Sequence, residues 1–83
     1  MEKSAFTRAH KILCRLLREL RQEAGVTQIE LAARLGETQS EVSKFERGER
    51  RLDLVQLQVW CEALGASLSD FVTRFEKALP RKK

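Results

Sequence analysis

Residues 27–48 read TQIELAARLGETQSEVSKFERG, a stretch that holds two helix starts with a glycine turn between them. Thr27 is a good N-cap, its hydroxyl suited to a free backbone N–H of the first turn, and Glu30 three residues on completes a capping box. Thr38 and Glu41 repeat the pair. Gly36 follows Leu35, the last apolar residue of the first helix, where a helix end needs a residue that tolerates the left-handed conformation. Ala32, one turn earlier, is small enough to let the second helix cross close over the first, and Val42 and Phe45 direct that helix's apolar edge back at Leu31 and Leu35. The remaining face carries Gln39, Ser40, Ser43, Lys44 and Arg47, all hydrogen-bond donors and none acidic; Glu41, the acidic residue beside it, is accounted for as a cap. A donor-rich helix face suits a major groove lined with base acceptors and phosphates.

On the N-terminal side, helical spacing predicts a helix that starts after Ser4 or Thr7 and runs to Ala24, with Gly25 ending it. Its apolar side is Phe6, Ala9, Leu13, Leu16, Leu17, Leu20 and Ala24. Opposite lies a basic stripe, Arg8, Lys11, Arg15 and Arg18, read as a solvated face partly paired with Glu19. On the C-terminal side, Gly48 closes the third helix and a basic loop, GERR, follows. Asp53 and Gln56 cap a fourth helix that ends at Gly65 and has a core stripe of Leu54, Leu57, Trp60, Cys61 and Leu64. Ser67 and Asp70 open a fifth helix that should run to Leu79, where Pro80 stops it. Strand-like alternation and repeats are lacking. The expected fold is all-α, a compact five-helix bundle forming one domain over 1–79, with a short mobile basic tail at 80–83.

With 83 residues there is room for one small domain, and chains of this size often gain stability by pairing with a second copy. The net charge of +4 suits a nucleic-acid partner. Cys14 and Cys61 fit no metal-ligand spacing and read as free thiols in a reducing cytoplasm. His10 and Cys14 could supply two metal ligands, but no other histidine or nearby cysteine completes a set, so no metal or cofactor is expected. The opening MEKSAFTRAHK lacks the apolar stretch of a signal peptide, and charges interrupt every hydrophobic run, so a soluble cytoplasmic protein with no membrane partner is expected. An enzyme is not expected either: the one histidine has no nucleophile or carboxylate pair, Ser40 and Ser43 have no base near them, and no phosphate-binding glycine loop occurs. With no Tyr, and with Phe and Trp mostly assigned to apolar stripes, stacking on single strands or RNA is disfavoured.

The order LRQEAGVTQIELAARLGETQSEVSKFERGER resembles the phage repressor/Cro-type (XRE-like) helix-turn-helix family of bacterial regulators, and the likeness extends from about Leu13 to Val72. Its specificity lies in combination: Gly25, the Thr-Gln start, the Leu-Ala core pair, the turn glycine, the Val-x-x-Phe-Glu edge and the closing glycine, in order. The resemblance implies that the third helix enters the major groove. It implies that Gln39, Ser40 and Lys44 read bases and that Gln28 bonds a phosphate, with Thr38, Ser43, Arg47, Arg50 and Arg51 also on the backbone. Glutamine can bond adenine N6 and N7, and lysine can donate to guanine O6 and N7, each worth roughly 1–3 kcal/mol of discrimination. Arg21 and Glu46 match positions that pair beneath the recognition helix, which implies a structural clamp rather than a role in reading DNA.

Leu68, Phe71, Val72, Phe75 and Leu79 form one stripe on the fifth helix, the first three sufficing for the core. Phe75 and Leu79 extend beyond it, as do Phe6 and Ala9 on the first helix. These extensions either pack on each other within one chain or, with Val55 and Val59, form a two-fold dimer seam. The expected function is a sequence-specific double-stranded DNA-binding regulator, a repressor acting as a homodimer on a palindromic operator. With no ligand domain attached, control would fall to concentration, proteolysis or a partner. The alternatives are an antitoxin with a toxin partner, a restriction-modification controller, and an adaptor that kept the fold but binds protein.

Overall fold

The computed structural model describes residues 3–80, with side chains from Thr7 onward. Helices α1 (Lys3–Glu23), α2 (Gln28–Leu35), α3 (Gln39–Glu46), α4 (Leu54–Ala63) and α5 (Leu68–Ala78) follow one another, with no strand among the described residues. The side chain of Phe6 and the tail residues 81–83 lie outside the described residues.

Each of the last four helices begins at an anticipated cap. Thr27, Thr38, Asp53 and Ser67 accept the backbone N–H three residues on, at 3.0, 3.1, 2.7 and 3.3 Å. The box is reciprocal at Thr27, where Glu30 Oε1 takes the Thr27 N–H at 2.8 Å, and at Asp53, where Gln56 Oε1 does the same at 2.9 Å. That backbone bond to Thr27 holds the Glu30 carboxyl below the usual carboxylate range. At Thr38 the reciprocal half is absent: the Glu41 carboxylate has turned to Arg50. Capping therefore does not account for the Glu41 side chain. The α2–α3 turn is made by Gly36 at φ 70°, and the following N–H, from Glu37, closes on the Ala32 carbonyl at 2.9 Å. This left-handed close of a helix is cheap only for glycine.

α3 packs on α2 and α1, α4 on α2 and α5, and α5 returns to α1. Leu16, Leu17, Val26, Leu31, Ala32, Val42, Trp60, Cys61, Leu64 and Phe71 make the buried cluster, and their removal from water drives the assembly. Leu13, Leu20, Leu35, Phe45, Leu57 and Leu68 pack on it half-buried, whereas three expected core residues stay exposed. Ala24 lies past the last turn of α1 and is exposed. Leu54, the first residue of α4, is 66% exposed because its stripe runs out beyond the helices that cover Leu57 and Trp60. Val72 is turned one residue away from the buried direction of Phe71 and stays exposed, while Phe75 and Ala78 pack against the core from α5 in its place. On α1, Cys14 is buried and Ile12 packs on the core.

Arg74 of α5 fastens α1 from outside, with Glu23 at 2.6 Å and Glu19 at 3.3 Å. Its bond to Glu23 holds that carboxyl below the usual range. Glu19 also lies 3.6 Å from Arg15, so part of the basic stripe is paired.

Candidate nucleic-acid interface

The α3 surface rests on one buried ion pair. Arg21, from the last turn of α1, and Glu46, at the end of α3, are 9% and 6% exposed. Arg21 donates from Nε to Glu46 Oε2 at 2.6 Å and from Nη2 to Oε1 at 3.0 Å, a bidentate fork, while Nη1 takes the Val26 carbonyl at 2.9 Å. Desolvating two charges is costly, and pairing plus the extra hydrogen bond offsets it. No buried side-chain nitrogen or oxygen among the described residues lacks a partner.

From Glu46 the bonding continues outward. Gln28 Nε2 donates to Glu46 Oε1 at 3.0 Å, and Gln39 Nε2 donates to Gln28 Oε1 at 3.3 Å. Gln39, the first residue of α3 and exposed, is thereby tied through Gln28 to the buried pair. Helical spacing contains no trace of this relay, because Gln28 and Gln39 meet only once α2 and α3 have crossed. From the other side, Phe45 meets Trp60 edge-on, with ring centroids 5.8 Å apart.

Ser40 and Thr38 are exposed beside Gln39, and Lys44 and Ser43 are half-buried farther along α3. The face is not made of donors alone. Glu41 takes Arg50 Nε and Nη2 at 3.2 Å each and lies 3.8 Å from Lys44 Nζ. Arg47 donates from Nε to Glu49 at 3.0 Å and from Nη1 to Ser43 Oγ at 2.7 Å. The Arg47 bond holds the Glu49 carboxyl below the usual range, so the pair persists until pH falls through that lowered value. Arg51 is exposed and lines a groove with Ala9, His10, Leu13, Leu52 and Phe75.

Local spacing gives His10 no structural partner, yet its Nε2 donates to the Gly48 carbonyl at 3.2 Å and ties the end of the α3 turn to α1. Cys14 Sγ lies 3.8 Å from the same nitrogen. Burial, and then the Glu46 charge, raise the Cys14 thiol pKa; burial alone raises that of Cys61. No group of three or more His, Cys, Asp or Glu among the described residues could hold a metal ion.

A helix-turn-helix family model matches residues 17–71. The chain belongs to the XRE-type helix-turn-helix family of transcriptional regulators. Over 54 residues the regulator is 43% identical to the uncharacterized HTH-type transcriptional regulator y4dJ of Sinorhizobium fredii, covering 65% of this chain and 70% of that one. The solved structure of an XRE-family like protein from Pseudomonas syringae superposes with a TM-score of 0.85 at 41% identity, covering 94% of this chain and 95% of that one. ClgR, the clp gene regulator of Corynebacterium glutamicum, superposes with a TM-score of 0.77 at 30% identity, covering 87% and 92%. This protein is therefore a DNA-binding regulator, and α2 and α3 form its helix-turn-helix. None of its described helices is long and apolar enough to cross a membrane.

Proposed function

We propose that this regulator is a sequence-specific repressor that acts in the cytoplasm as a homodimer on a palindromic operator. The observation that carries the reading is the relay from the Arg21–Glu46 pair through Gln28 to Gln39. A side chain held in one orientation before DNA arrives loses less entropy on binding and discriminates better than a free one. Gln39, Ser40 and Lys44 read base edges. Thr38, Ser43, Arg51 and the second N–H of the Gln28 amide contact phosphates, which set position without carrying sequence information directly. Repression follows where the operator overlaps a promoter.

The homodimer reading is supported by Val55 and Val59, which are 72% and 41% exposed on α4 and line a mainly apolar groove with Leu35, Phe45, Leu52 and Trp60, to which Glu37 and Gln56 also contribute. Phe75 is half-buried against its own core, so the seam is assigned to the two valines, with Leu79, also half-buried, at most at its edge. Two α3 helices related by a two-fold axis would meet successive major grooves about 34 Å apart. Sedimentation should show a dimer that Val55→Lys converts to monomer. A wild-type monomer at high micromolar concentration, with and without operator, would remove the dimer.

Selection from a random duplex library tests the reading of sequence. Wild type should enrich a palindrome with half-sites roughly 10 bp apart. Gln39→Ala and Lys44→Ala should each lose preference at one base pair per half-site, by roughly 5- to 150-fold. A folded wild-type protein that enriches nothing even at low salt would put a protein-binding adaptor or a toxin-dependent antitoxin in its place.

A further inference from the structure

We propose that Glu41 is a positioning residue for base recognition, holding Arg50 against α3 so that the open fork of its guanidinium reads a guanine in the major groove. The proposal rests on the reading above that α3 enters that groove.

Glu41 is the third residue of α3, and its backbone N–H already serves the Thr38 cap, so its side chain is not needed to begin the helix. The carboxylate instead binds Arg50 through Nε and Nη2, with Lys44 Nζ near the same group. Arg50 belongs by sequence to the loop after α3, yet its guanidinium is folded back onto the helix beside Lys44. A guanidinium carries five N–H donors in a rigid plane. Glu41 occupies the Nε/Nη2 edge. The end-on edge, one N–H from Nη1 and one from Nη2, has no partner among the described residues.

That edge matches two acceptors side by side, and guanine O6 and N7 present such a pair in the major groove. A phosphate also offers two oxygens, and the Glu41 charge decides between them. Attraction to phosphate depends on net positive charge, which Glu41 largely cancels, and its carboxylate would stand close to the oxyanion. A guanine edge carries only partial charges and is held by direction, which the ion pair preserves and sharpens. Arg47 has no equivalent fork: Glu49 occupies its Nε/Nη2 edge, and Nη1 donates to Ser43 Oγ.

The test measures binding of wild type, Glu41→Ala, Arg50→Lys and Lys44→Ala to the selected operator, to its single-base variants and to non-operator duplex, over a salt series. Glu41→Ala and Arg50→Lys should both lose tenfold or more of their discrimination at one shared G·C pair, distinct from the pair affected by Lys44→Ala. Glu41→Ala should also bind non-operator DNA more tightly with a steeper salt dependence, because the freed cation takes a phosphate. Removing an acidic group from this face raises non-operator affinity in any case, so the deciding result is the loss confined to one shared G·C pair; a merely structural Glu41 would change all sequences alike. The pair is partly exposed, so all variants should melt close to wild type. Full discrimination retained by Glu41→Ala, or a loss in Arg50→Lys that is uniform across sequences with the salt slope reduced by about one, would overturn the proposal. In either case selective binding by wild type would leave the function itself standing, whereas unselective wild type would remove both.

Discussion

Glu46→Ala should destabilise the fold by about 3–5 kcal/mol, because it leaves the Arg21 guanidinium buried without its counter-charge. Small domains are stable by only about 5–15 kcal/mol, so this substitution takes a large share of the total. At about 4–8 °C per kcal/mol for a domain of this size, a circular-dichroism melt should reveal it clearly. The cost comes from the orphaned charge rather than from the bond. An apolar pair, Arg21→Met with Glu46→Leu, should therefore recover most of the stability while still cutting the link from Glu46 to Gln28. That double variant should fold yet discriminate less at the base read by Gln39, separating the clamp's contribution to stability from its contribution to recognition. A Glu46→Ala protein that melts with wild type would show that the clamp carries no such energy.

Trp60→Ala should cost a comparable amount, about 3–5 kcal/mol, by a different mechanism. Trp60 is 3% exposed and supplies the edge-on partner of Phe45, so its removal leaves a cavity directly beneath α3. The aromatic pair adds about 0.5–1.5 kcal/mol beyond the area buried. Denaturant unfolding followed by circular dichroism should show a much lower midpoint, with Trp60→Phe losing considerably less. Tryptophan fluorescence cannot follow the Ala variant, since the chain has one Trp. Equal midpoints for Trp60→Ala and wild type would mean that the core beneath α3 collapses without penalty.

The two interaction types differ in how far they could be read beforehand. The Thr27 and Asp53 boxes and the Gly36 turn depend on residues at most a few positions apart, and their chemistry is the same in any fold that contains the helix. The family match then assigned Arg21 to Glu46 across 25 positions, a pairing that spacing alone does not supply, and the two side chains are found bonded. Glu41 was misread for the opposite reason. Its position fits a local cap, but a half-buried carboxylate takes the strongest donor within reach, and that donor is an arginine nine positions along, brought back by the loop. His10 and Arg74 escaped notice likewise, with partners 38 and 51 positions away.

By itself the sequence determined where the last four helices begin, where α2 turns into α3, and which family the chain belongs to, because caps and left-handed glycines act over one or two turns and motif order is written along the chain itself. Tertiary structure alone decided that Leu54 and Val72 stay in solvent while Phe75 and Ala78 pack inward. It also decided that Gln39 is tethered through Gln28 and that Arg50 lies on α3. An apolar stripe specifies a direction but not how far the opposing helix extends to cover it. Long polar side chains of similar local pattern take whichever partner the packed helices bring within about 3 Å.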